Sequence, residues 1–92
     1  MGANISKQER DQFAIDLYNE TFTAIQSATG QITVKLIIKY ARTHVLNSNY
    51  FDDYALSCKL DLVLNDLIRA KKVKLTTGFV GGNIMLGFSE LK

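Results

Sequence analysis

The imidazole and thiol chemistry on which many enzymes and zinc sites depend is nearly absent from this chain of 92 residues. It contains one histidine, His44, and one cysteine, Cys58. A cysteine-rich zinc site or an internal disulfide needs more such residues, and a catalytic triad has little to draw on. We therefore expect no enzymatic activity, no metal and no cofactor. His44 is expected near a helix end and Cys58 as a small buried apolar side chain.

Cationic side chains are more numerous, and some recur at a spacing suited to phosphate groups. Lys35, Lys39 and Arg42 lie at helical spacing, so one helix would present them as a basic ridge. The candidate nucleic-acid-binding residues are Lys35, Lys39, Arg42, Lys59, Asn65, Arg69, Lys71, Lys72 and Lys74. Lysine and arginine neutralise phosphates, while asparagine and arginine can also read base edges. The competing interpretation is an ordinary solvated surface.

Charge is divided unevenly along the chain, whose formal net charge is +2. Residues 1–30 carry two cations against four carboxylates, a net −2. Residues 31–92 carry nine cations against five carboxylates, a net +4. A polyanionic partner would therefore meet the C-terminal two-thirds of the chain.

A glycine-rich segment separates two stretches of alternating apolar residues near the C-terminus. Its residues Gly78, Phe79, Val80, Gly81 and Gly82 are expected at the tip of a β-hairpin with a loop of about four to six residues. Phe79 and Val80 have three interpretations: a wedge in a minor groove, a contact with a partner or second copy, or packing back on the sheet. We favour packing back on the sheet.

The N-terminal residues fit the pattern for N-myristoylation, with Gly2 and Ser6 at the required positions. The competing interpretation is that Asn4 and Ser6 simply begin the first helix. Residues 1–5 are expected to be flexible. The sequence contains no visible secretion signal and no apolar run of about 20 residues. We therefore expect an intracellular protein, nuclear or cytoplasmic, that meets a membrane only if Gly2 is acylated.

Three helices are predicted ahead of the hairpin, and the first runs from Gln8 to Ala28. Ser6 and Glu9 form a capping box at its start, and Gly30 is expected to end it as a C′ glycine. Its expected core face consists of Ile15, Tyr18, Phe22 and Ile25, which recur at helical spacing.

The second helix is predicted from Val34 to about Val45, with Thr33 as its N-cap and residues 31–33 forming a short strand before it. Its predicted core stripe is Val34, Ile37, Ile38, Ala41 and Val45. A loop follows at residues 46–51. Asp52 or Asp53 then caps a third helix that runs to about Lys72. The core stripe of this third helix is Leu56, Leu60, Val63 and Leu67.

The order of these elements is helix, short strand, helix, helix, strand, loop and strand. This order is that of a winged helix, a helix-turn-helix with a hairpin beside it. The sequence therefore predicts an α+β fold with a single winged-helix domain over residues 1–92, made of three helices and a C-terminal β-hairpin wing.

Residues 22–88 resemble the globular domain of linker histones, within the winged-helix superfamily. The resemblance is carried by Ala24-Ile25 before Gly30, by Ile38-Lys39-Tyr40 before His44, and by residues 73–78 opening the wing. It implies the winged-helix fold and binding to double-stranded DNA. Of the family's DNA-contacting positions, Lys39 and Lys74 keep their type.

The sequence departs from that family on the third helix, which in linker histones carries lysine and arginine along its exposed face. Here the corresponding stretch offers Asp61, Asn65 and Asp66, and the basic tails are absent. The leading expectation is a small DNA-binding transcriptional regulator or architectural protein, of viral or mobile-element origin, without a small-molecule substrate. The alternative is a winged-helix module that binds protein, with or without a myristoyl group, including as a homodimer.

Overall fold

The computed structural model describes residues 6–91, apart from the side chains of residues 78–80 and 83–85. The described chain has an α+β fold of three helices and a two-stranded antiparallel hairpin. Its elements are α1 (Lys7–Ser27), α2 (Val34–His44), a 3-10 helix (Ser48–Tyr50), α3 (Asp53–Arg69), β1 (Val73–Val80) and β2 (Asn83–Glu90). Gly2 and the predictions made for residues 1–5 lie outside the described residues.

Helix α1 begins with the predicted capping box. The amide of Glu9 donates to Ser6 Oγ at 3.1 Å, and the amide of Ser6 donates to Glu9 Oε1 at 3.0 Å. The helix ends within one residue of the predicted Ala28, but the assignment of Gly30 as its C′ residue was wrong. Ala28 ends it with an extended backbone (φ −74°, ψ 141°), and Gly30 lies two residues further on with φ 88°. Gly30 therefore lies in the turn that leads to the next segment and does not occupy the C′ position of the helix.

The core face of α1 agrees with the prediction in part: Ile25 is buried, and Tyr18 and Phe22 are partly buried against the core. Its buried residues are Phe13, Leu17, Thr21, Ala24 and Ile25. Ile15 is 53% exposed, so placing it on the core face was wrong. Two apolar sets lie on α1 at helical spacing, and packing against the other elements selects the one that contains Phe13 and Leu17.

Helix α2 and the start of α3 agree with the predictions. Thr33 Oγ1 accepts from the amide of Leu36 at 3.4 Å, and Asp52 Oδ1 accepts from the amide of Ala55 at 2.8 Å. The predicted core stripe of α3 is buried. These caps and stripes depend on residues three or four apart, which is why local sequence predicts them well.

Helix α3 ends earlier than predicted, at Arg69 instead of about Lys72. Lys71 adopts a left-handed conformation with φ 61°. The amide of Lys71 then donates to the carbonyl of Ile68, and the amide of Lys72 to the carbonyl of Leu67, each at 3.0 Å. This pair of bonds is a Schellman motif, formed here without the glycine that usually occupies its left-handed position.

The hairpin has a shorter turn than predicted. Val80 pairs with Asn83, so the turn contains only Gly81 and Gly82, whose φ angles are 57° and 83°. Two successive residues with positive φ define the type I′ turn that suits the strand twist. Gly78, Phe79 and Val80 therefore belong to β1, and the prediction of a loop of about four to six residues there was wrong.

The short strand predicted at residues 31–33 is a single β-bridge. Ile32 and Phe88 exchange two backbone hydrogen bonds of 2.8 Å. Gln31 lies directly over Gly87, where an added Cβ would lie 2.8 Å from the Gln31 Cδ atom. The bridge fastens the base of the hairpin to the segment before α2.

One hydrophobic cluster joins all the elements. Its hairpin members, Val73 and Phe88, pack with residues from the three helices. The fully buried leucines Leu17, Leu56 and Leu60 lie within it. In the part of the chain that the structure describes, no helix combines the length and apolar character needed to cross a membrane.

Candidate functional site

Two of the predicted phosphate-contacting lysines lie on the exposed side of α2. Lys35 and Lys39 are exposed, and no salt bridge within residues 6–91 involves either of them. They line a concavity of about 370 Å³ together with Leu36, Ile38, Arg42 and Asp53. Leu36 is 52% exposed between the two lysines, so this surface is partly apolar.

Arg42, the third member of the predicted basic ridge, is committed to structural contacts. Its guanidinium donates to the backbone carbonyl of Ser48 and forms an ion pair of 2.8 Å with Asp53. The Arg42 side chain is only 25% exposed. Arg42 therefore fastens α2 to the segment leading into α3, and the free ridge consists of Lys35 and Lys39.

The remaining cations are distributed over several neighbourhoods. Lys72 Nζ lies 5.6 Å from the ring centroid of Tyr18 and 5.5 Å from that of Phe22. Lys74 lines a different concavity from Lys35 and Lys39, beside the C-terminal end of α1. Arg69 forms an ion pair of 2.9 Å with Asp66. Lys71 and Asn65 are exposed. The predicted residues are thus all on the surface or its margin, but they do not line a single pocket.

The outward face of α3 carries an apolar strip. Tyr54 is 80% exposed and Leu62 is 68% exposed, and Cys58 between them is also exposed. These three residues are spaced four apart, so they lie above one another on the helix; we call them the α3 strip. The prediction that Cys58 is buried was wrong, because the core stripe of α3 faces the opposite side.

Carboxylates flank the α3 strip. Asp61 is exposed and takes part in no salt bridge within the described residues. Asp52 caps the helix and Asp53 pairs with Arg42. Inserting this face into a DNA groove would bring these carboxylates towards phosphates, which repel them.

A groove between α1 and α3 adjoins the α3 strip. It encloses about 270 Å³ and shares Leu62 with the strip. Its lining consists of Arg10, Phe13, Ala14, Leu17, Tyr18, Phe51, Lys59, Leu62, Val63 and Asp66. We call it the α1–α3 groove. The sequence predictions missed it because they turned Ile15, rather than Phe13 and Leu17, towards the core.

His44 and Tyr40 form a separate aromatic pair on α2. Their rings stack with centroids 3.9 Å apart, and His44 Nδ1 lies 3.0 Å from the Tyr40 carbonyl oxygen. The Tyr40 hydroxyl donates to Glu20 on α1 at 3.5 Å. Burial raises the pKa of Tyr40, and the nearby Glu20 carboxylate acts in the same direction. His44 thus lies at the end of its helix, where it was expected.

The hairpin tip leaves the wing predictions open. Gly81 and Gly82 are exposed in the turn. The side chains of Phe79 and Val80 lie outside the described part, so their three interpretations stay predictions. Nearer the base, Leu75 is 50% exposed and Leu86 is 55% exposed.

Comparison with known proteins adds no further information about the site: no protein-family model, curated protein or solved structure matches the chain. Within the described residues, no three His, Cys, Asp or Glu side chains group closely enough to hold a metal ion. The described surface therefore offers two separate candidate sites: the α3 strip with the α1–α3 groove, and the concavity beside Lys35 and Lys39 on α2.

Proposed function

We propose that this chain is a winged-helix-type module that binds a partner protein through the α3 strip and the adjoining α1–α3 groove. Three helices followed by a hairpin, with a bridge from residue 32 to its base, support the winged-helix assignment. The exposure of Tyr54 and Leu62, at 80% and 68%, carries the functional proposal.

Exposed apolar surface of this kind favours a protein partner. Scattered apolar residues are ordinary on a surface, whereas a strip continuous with an apolar groove marks an interaction site. Tyrosine is enriched among the residues that dominate binding energy at interfaces. A groove between two helices is also a common receptor for an amphipathic helix.

The charges around the strip support the same proposal. A helix that reads DNA presents donors and cations to the groove. The N-terminal half of α3 instead presents Asp61 beside the strip, and its one cation, Lys59, lies over the Phe51 ring at 4.7 Å. A protein partner can leave Asp61 at a solvated rim, where a charge costs little.

The experiment is selection of binders from a displayed library of random helical peptides. We expect wild-type chain to select peptides that share apolar residues one turn apart, and Leu62→Gln to weaken their binding at least tenfold. Leu86→Gln is the matched control, because Leu86 is similarly exposed but lies on the hairpin. Binders that do not distinguish Leu62→Gln from the control, or the absence of any binders, would overturn the proposal.

Double-stranded DNA is the second candidate partner. The specific observation in its favour is the exposure of Lys35 and Lys39, which take part in no salt bridge within residues 6–91. Lys71, Lys72 and Lys74 would supply a second set of phosphate contacts. Such contacts would bind DNA of any sequence, weakly and with a strong dependence on salt.

Anisotropy titration of a labelled duplex at two salt concentrations tests this second candidate. If the lysines contact phosphates, changing both Lys35 and Lys39 to Gln should weaken binding equally across sequences. It should also lower the log–log salt slope by about 2. Absence of binding at about 50 mM salt, a concentration at which phosphate contacts are strong, removes DNA as a candidate.

A further inference from the structure

We infer that the α1–α3 groove receives an acidic amphipathic helix, whose apolar side chain enters the groove and whose carboxylate meets Arg10 and Lys59. This inference rests on the proposed function and adds the chemistry of the partner. Three properties of the groove carry it: its size, its free charges and the position of those charges.

The size of the groove suits side chains better than a free small molecule. Its volume of about 270 Å³ lies just below the range of roughly 300–1,000 Å³ typical of small-molecule sites. Phe13, Leu17 and Val63 form a largely buried floor, and Leu62 stands at the rim. An apolar side chain projecting from a helix can fill such a space while the helix backbone stays outside.

The free charges of the groove are cationic. Arg10 and Lys59 line it, and no salt bridge within the described residues involves either. The carboxylate in the lining, Asp66, is paired with Arg69 at 2.9 Å. The groove therefore offers two unpaired cations against one carboxylate that already has a partner, which is complementary to an acidic ligand.

Contacts place both cations at one end of the groove. The rings of Phe13 and Phe51 lie 4.9 Å apart, and Lys59 Nζ lies 4.7 Å from the Phe51 centroid. Arg10 precedes Phe13 by one turn of α1. Asp66 lies about two turns along α3 from Lys59. A bound helix would therefore direct its carboxylates towards the Phe13–Phe51 end, which also sets its orientation.

The test uses two synthetic helical peptides of about 18 residues with the same leucine stripe. In one peptide the positions flanking the stripe at one end are Glu, and in the other they are Lys. We expect fluorescence anisotropy to show the Glu peptide binding at least tenfold more tightly. Changing both Arg10 and Lys59 to Gln should weaken the binding of the Glu peptide roughly two- to thirtyfold, the range expected for two exposed ion pairs, and should remove most of its salt dependence.

A charge-matched control separates this effect from net charge. Changing both Lys35 and Lys39 on α2 to Gln removes the same number of positive charges from the protein and should alter the Kd for the Glu peptide less than twofold. Thermal unfolding of every variant confirms that it is folded. If the loss of the Lys59 contact with Phe51 destabilises the double variant, the single variant Arg10→Gln replaces it in the binding measurement. Arg10 is exposed, so its replacement leaves the core intact.

Three results would overturn the inference: equal binding of the two peptides, an equal loss in the α2 control, or no binding of the Glu peptide. Self-association through this surface is a fourth result that would overturn the inference. If sedimentation shows a concentration-dependent dimer that Leu62→Gln dissociates, a second copy occupies the surface instead. The failure of the proposed function is distinguishable from the failure of this inference. The proposed function fails if peptides selected from the library, whatever their charge, bind the Leu62→Gln variant as well as they bind the control variant.

Discussion

Arg42 and Lys39 lie one turn apart on the same helix, yet the structure uses them differently. Arg42 reaches the carbonyl of Ser48 and the carboxylate of Asp53, whereas Lys39 is exposed and forms no salt bridge within the described residues. Spacing along a helix predicts which face a cation occupies. It does not predict whether a carbonyl from another segment will be there to bind it.

Arg42→Ala is expected to destabilise the fold. The change leaves the Ser48 carbonyl without its charged donor, and Ser48 itself is 1% exposed. Losing such a bond costs about 1–3 kcal/mol in the free energy of unfolding. Urea unfolding measures it, with Lys39→Ala as the control that should stay within about 0.5 kcal/mol of wild type. Equal effects of the two changes would contradict a structural role for Arg42.

Lys71→Gly is expected to stabilise the protein. Lys71 has φ 61°, a conformation that costs a residue with a Cβ about 1–2 kcal/mol. Glycine avoids that cost, but it lowers the free energy of unfolding by about 0.5–1 kcal/mol because it loses more conformational entropy on folding. The net gain should be about 0.5–1 kcal/mol, raising Tm by about 3–6 °C in calorimetry for a domain of this size.

Two further variants check the reason for this gain. Lys71→Ala removes the same charge but keeps the Cβ, so it should give none of the gain. Ala70→Gly places glycine where φ is −76° and should lower Tm. If Lys71→Ala stabilises as much as Lys71→Gly, the charge rather than the backbone conformation is responsible.

At the scale of elements, the predicted core stripes of α2 and α3 lie in or against the core throughout, whereas that of α1 does so only in part. Each of the first two has one dominant apolar stripe, so its rotation about its own axis is determined by its own residues. Helix α1 has two apolar sets at helical spacing, and Ile15 from one of them remains 53% exposed. Packing of α1 against α2, α3 and the hairpin decides which face is buried, and its contact with Phe51 and α3 also forms the α1–α3 groove.

Leu60 and Leu62 provide a matched pair for the orientation of α3. Leu60 is 0% exposed and Leu62 is 68% exposed on the same helix. Leu60→Ala should cost about 2–5 kcal/mol through lost burial and a residual cavity, and the equally buried Leu67 should behave likewise. Leu62→Ala should cost less than about 0.5 kcal/mol. Similar losses in chemical denaturation for Leu60 and Leu62 would mean that the strip is not exposed in solution.

At the scale of the whole molecule, the base of the hairpin and the three helices share one core. Val73 and Phe88 belong to the same cluster as Leu60 and Leu67. The part of the hairpin beyond the Leu75–Phe88 pair is different, since Leu86 is 55% exposed there. The base of the hairpin should therefore unfold together with the helices, while the outer part can open by itself.

Amide hydrogen exchange tests this division. The amide of Phe88, which donates to the Ile32 carbonyl at 2.8 Å, should be as protected as that of Leu64 in α3. The amides of Gly78 and Met85, a hydrogen-bonded pair further out on the hairpin, should exchange faster by about 10-fold or more, because this part can open without disrupting the core that contains Val73 and Phe88. Uniform protection along both strands would show that the outer hairpin is held by contacts beyond this core.

The sequence by itself determined the local structure: the capping box at Ser6, the stripes of α2 and α3, and the period of two in both strands. Each depends on interactions between residues only a few positions apart in the sequence, and these interactions do not require a particular packing of the other elements. The tertiary structure alone decided the rotation of α1, the contacts of Arg42 with Ser48 and Asp53, and the groove beside Leu62. These depend on which surfaces of separate elements meet, and that is settled by packing all of them around one core.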